Sequence, residues 1–123
     1  MSIRYYKALD IEGMAKEISR RLDISHDLSR IVCIRSKGSK SRHTLARCHT
    51  ISKAIQTGLG LKAHYVIEVI SENFDKLHEE GKVKTLIHEL MHIPKAFGGG
   101  FKGHRYVNKI SVEKMYENYR ESL

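Results

Sequence analysis

Residues 78–93 read HEEGKVKTLIHELMHI, in which Val83, Ile87, Leu90 and Met91 recur at helical spacing until Pro94 prevents simple continuation. His88 and His92 are four apart in this stretch, so in a helix they rise about 6 Å along the axis and return to nearly the same face. The helix must therefore bury an apolar stripe while holding two imidazoles within reach of one shared partner. That requirement calls for a packed body on one side and an opening on the other.

The pattern His88-Glu89-Leu90-Met91-His92 is HExxH, whose histidines suit a single zinc ion. Glu89 lies one step from His88 and can address water at that ion, first as general base and then as proton carrier to a leaving amine. A catalytic zinc ordinarily has three protein ligands and an open position. Downstream, Gly98–Gly103 reads GGGFKG, a flexible turn long enough to bring His104 back across the helix end. Glu113 and Glu117 on a final helix are competing third ligands, with His104 favoured. Tyr106, close by in sequence, is a candidate oxyanion donor. The remaining histidines, at 26, 43, 49, 64 and 78, have no comparable spacing and read as surface or hydrogen-bonding residues.

Charge is distributed unevenly. The formal charge is +8 in 123 residues, and between Asp27 and Glu68 there is no acid but eight bases: Arg30, Arg35, Lys37, Lys40, Arg42, Arg47, Lys53 and Lys62. The densest part, from Arg35 to His49, combines Arg35, Lys37, Lys40, Arg42 and Arg47 with Gly38 and serines, as would a loop that contacts nucleic acid or another anionic partner. An ordinary solvated face has the same composition. Cys33 and Cys48 are too few for a disulfide scaffold or a four-cysteine zinc site. No run of about 18 apolar residues offers a membrane span, and the opening residues lack the apolar run of a secretory signal. A cytoplasmic setting is expected, with no membrane partner.

The chain reads as one α+β domain over residues 1–123. Asp10 is placed to cap a first helix whose stripe is Ile11, Met14, Ile18 and Leu22. Ile31–Ile34 suits a strand with Cys33 as a small buried hydrophobe. Leu45, Ile51 and Ile55 fit a helix from Ser41 to about Thr57, ended by Gly58 and Gly60. His64–Ile70 alternates as a strand with apolar residues on both sides, so Glu68 needs an open edge or a polar partner. SENF, from Ser71, makes a short turn, and a last helix from Val112 to Glu121 packs Met115 and Tyr119 inward.

The segment HELMHIPKAFGGGFKGHRYVN resembles the active-site region of the small metallopeptidases of archaea and phages, within the zincin-like superfamily, and is similar to the SprT-like proteases. A weaker likeness extends through IRSKGSKSRHTLARCH and HYVIEVISENFDKL. The resemblance implies a compact zincin-like domain with helices on a small mixed sheet. His88, His92 and His104 would hold Zn2+, and Glu89 would be the general base. It also implies an edge strand beside the active-site helix, placed at His64–Ile70, able to pair with an extended peptide. SprT-like relatives act on proteins bound to DNA, which would give the basic section a purpose. Peptide-bond hydrolysis is the leading expectation; the alternatives are a nucleic-acid-binding protein with a structural zinc site and a nonproteolytic metallohydrolase.

Overall fold

The computed structural model describes residues 2–123. Four strands form a mixed sheet in the order β1-β2-β4-β3, made of β1 (Arg4–Lys7), β2 (Ile31–Lys37), β3 (Ala46–Thr50) and β4 (Tyr65–Ile70). β2 and β4 are parallel at the centre, with Cys33 beside Ile67, while β1 and β3 run antiparallel to their neighbours at the two edges. Helices α1 (Leu9–Arg21) and α4 (Glu79–Met91) pack on one face, and α5 (Lys109–Glu121) packs on α4. Between these layers lies the core, which includes Ile31, Cys33, Tyr65, Ile67 and Val69 from the sheet and Ile11, Ile18, Leu86, Ile87 and Leu90 from the helices. Two short helices, α2 (Lys53–Leu59) and α3 (Ser71–Phe74), flank β4.

The long helices follow the apolar periodicity that predicts them. α1 buries Ile11, Ala15 and Ile18, but its cap is Ala8 and not Asp10. Asp10 instead sits in the first turn, where a carboxylate complements the helix dipole, and takes both arms of the Arg35 guanidinium at 2.7 and 2.8 Å. That guanidinium holds the Asp10 carboxyl below its usual range. α5 begins earlier than expected because Asn108 closes a reciprocal capping box with Ser111.

Two expectations are overturned. The helix read over Ser41–Thr57 is a loop, the strand β3 and then α2, which Ser52 caps and Gly60 ends in the left-handed conformation at φ 67°. β3 pairs along its length with β4, and that ladder overrides the local helical spacing of Leu45, Ile51 and Ile55. Consequently β4 is an inner strand, and the edge beside the active-site helix is β3.

Glu68 shows how β4 tolerates a charge. It is 1% exposed, yet its carboxylate accepts from Arg47 at 3.3 Å and pairs with the His49 ring at 2.7 Å. Burial pushes its pKa up, but the neighbouring Ser36 hydroxyl, the His49 ring and the Arg47 charge together outweigh that and hold it below the ordinary value.

Candidate metal centre

α4 carries the site because its two faces do different work. Val83, Leu86, Ile87 and Leu90 are buried in the core, while His88 and His92 are only partly covered and turn toward β3 and the loop beyond Pro94. The Nε2 atoms of the two rings face each other at 3.1 Å. Burial, followed by the neighbouring His92 and His104 rings, pulls the His88 pKa down, which favours the neutral imidazole a metal needs.

His104 arrives by a constrained return of the chain. Pro94 ends the helical run, and the Lys102 N–H donates to the His92 carbonyl at 2.7 Å. The His92 Nδ1 in turn lies 2.6 Å from the Lys102 carbonyl, so this ring nitrogen donates and leaves Nε2 as an acceptor toward the site. The glycine turn is pinned from the sheet: the Tyr65 hydroxyl donates to the Gly100 carbonyl at 2.8 Å and accepts from the Gly99 N–H at 3.0 Å. Gly99 has φ +103°, and a Cβ there would meet Gln56 Nε2 at 2.6 Å and the Ile51 carbonyl at 2.8 Å, so only glycine fits. Beyond it, Val107, fully buried, anchors the turn that presents His104.

The result is a three-histidine cluster in which one ligand atom from each of His88, His92 and His104 lies within 4.8 Å of the others. Ligands about 2.0–2.1 Å from a tetrahedral zinc stand roughly 3.3 Å apart, so the cluster fits the ion with small ring movements. Glu113, the competing ligand, is engaged elsewhere, accepting from Lys84 at 2.8 Å. Glu117 lies one turn further along α5, beside Arg120.

Glu89 is 7% exposed, and no hydrogen bond to its carboxylate occurs among the described residues. Burial lifts its pKa to about 7. A carboxyl in that range can take and release a proton near neutrality, as a general base and acid must. It opens on two adjoining cavities of about 400 and 370 Å3, both lined by Ala46, His88 and Glu89, which together form a groove between β3 and α4. One end is bounded by His43, Lys84 and Lys109, the other by Phe101 and His104.

The remaining expected residues are placed differently. Tyr106 is exposed, lies under the Lys102 ammonium at 3.9 Å and lines a separate cavity with Met91 and Met115. Arg35 is taken up by Asp10 and Asp75, whereas Arg47 makes a single contact to Glu68 and stays 41% exposed. Lys37, Lys40 and Arg42 have no carboxylate partner among the described residues, and the loop bearing Lys40 and Arg42 is tied to α3 by Asn73, which donates to the Ser41 and Thr44 carbonyls. Sequence reasoning missed Tyr65 and the Lys102 carbonyl as supports of the site. Only tertiary contact reveals them.

A helical HExxH with a third histidine and a buried general base defines a zinc-dependent hydrolase of the zincin-like kind. Residues 3–119 match a family model described as "Putative phage metallopeptidase", and the chain belongs to that family. No curated protein and no solved structure gives a match.

Proposed function

We propose that the protein hydrolyses peptide bonds in an extended polypeptide laid along the free edge of β3. The observation that carries this reading is the position of the unpaired Glu89 carboxylate, in a groove whose opposite wall is that open strand edge. Ile70 N–H donates to the Leu45 carbonyl at 2.9 Å, which sets the antiparallel alternation. Arg47 and His49 therefore spend their backbone groups on β4, and Ala46 and Cys48 turn theirs outward, toward the groove. A substrate strand bonded there is held straight across the face of Glu89, in the manner of strand addition.

When bound, zinc supplies Lewis acidity that acidifies water and polarises a carbonyl. His88, His92 and His104 hold the ion, and the Lys102 carbonyl keeps His92 in the ligating tautomer. Glu89 accepts the proton of the attacking water on its carboxylate and delivers it to the departing amine. Its raised pKa keeps both transfers close to balanced at neutral pH.

The test is zinc analysis with a peptide-library digest for the parent and for Glu89→Gln. The variant is expected to keep its zinc and lose about 10²–10⁴-fold in kcat/KM. Equal cleavage by both proteins would remove Glu89 from the mechanism, and a protein that takes up no zinc would remove the site.

A further inference from the structure

Strand pairing on β3 has a second consequence, which rests on the peptide reading above. Residues directly opposite one another across a strand pair share a face. Along β3, Ala46 and Cys48 face the groove, so Arg47 and His49 stand on the other face of the sheet. Both are at its free edge, with side chains 41% and 51% exposed. A docked substrate strand must place alternate side chains beside these two residues, outside the groove and away from the metal.

The pair is built and not merely exposed. Glu68, buried beneath them, gives one carboxylate oxygen to Arg47 and the other to His49. This fixes where both side chains stand and leaves four of the five guanidinium N–H donors of Arg47 without a partner among the described residues. The single buried carboxylate is already engaged by both groups. The strand and the loop before it, residues 37–50, add Lys37, Lys40, Arg42 and His43 and contain no acid. The fixed charges of this edge segment are therefore the cations Lys37, Lys40, Arg42 and Arg47, and the carboxylate beside Arg47, that of Glu68, is buried.

From this juxtaposition we infer that Arg47, held in place by Glu68, forms an outer specificity site that selects an acidic residue at the one substrate position that lies opposite it. A cross-strand opposite-charge pair at a partly exposed site favours the matched side chain by up to about fivefold.

The experiment is digestion of an unbiased peptide library by the zinc-loaded protein, with cleaved bonds read by mass spectrometry. Asp and Glu are expected to be enriched up to about fivefold at one position. Arg47→Gln, which keeps an N–H donor for Glu68 but removes the charge, should lose that enrichment, and Arg47→Lys should retain it. His49→Gln, which tests whether perturbing the Glu68 pair is by itself enough to remove the selection, should leave the enrichment in place. Cleavage without an acidic preference, or an unchanged preference in Arg47→Gln, overturns this inference and leaves the peptidase reading standing. Cleavage of no peptide by the zinc-loaded parent overturns both.

Discussion

Glu89 is a single residue in which the needs of stability and of chemistry oppose each other. It is enclosed by the sheet edge and α4 without a compensating donor, and burial raises its pKa from 4.5 to about 7. A raised carboxyl pKa means that the folded state binds the proton more tightly than the unfolded chain does. The metal-free protein is then unpenalised below about pH 4.5 and loses stability as pH rises through 7. Glu89→Gln abolishes that loss. Urea melts of chelator-treated protein should show the variant more stable than the parent at pH 8, by up to about 3 kcal/mol, with the difference vanishing near pH 4.5. An equal gap at both pH values would mean that the charge at Glu89 is compensated. Only the residue type and spacing of Glu89 were legible in the sequence; its lack of a partner depends on which elements close over it.

At the scale of elements, α4 was readable because a helix is a local object: its hydrogen bonds close within four residues, and its apolar stripe is printed in the chain. β3 was not. ARCHT has no apolar alternation, and it becomes a strand because β4 offers it a ladder. β1 was missed for the same reason, since all four residues of RYYK are exposed and the strand is held by backbone pairing with β2. The return loop joins these elements into a site, and Gly99 is its tightest point. Gly99→Ala forces a β-carbon against the Gln56 amide and the Ile51 carbonyl at a positive φ. A loss of about 1–3 kcal/mol is expected, together with weaker zinc binding, because the displaced loop carries His104. Thermal melts and competitive zinc titration would measure both. A variant with lower stability but parental zinc affinity would show that the loop and the ligand are uncoupled.

For the whole molecule, the question is whether the metal holds the fold or the fold holds the metal. The core between sheet and helices contains Ile11, Ile18, Ile67 and Phe74, fully buried and part of neither the histidine cluster nor the loop that completes it. Removing zinc should therefore lower the melting temperature without unfolding the chain. Zinc at 1,000 times its dissociation constant adds about 4 kcal/mol by mass action. Circular dichroism of the chelated protein should keep its helical signal at 25 °C, and a random-coil spectrum would instead make the ion structural. By itself the sequence determined the HExxH helix, its proline stop, the α+β composition and the acid-free basic stretch, because each is written in local order. The tertiary structure alone decided the rest: that β3 is the free edge, that Arg35 is consumed by Asp10 and Asp75, that Glu113 belongs to Lys84, and that Tyr65 sets the turn before His104. Each of those depends on partners at least 15 residues away along the chain, the separation of Thr50 and Tyr65 in the β3–β4 ladder being the smallest, and no local pattern encodes which distant group will arrive.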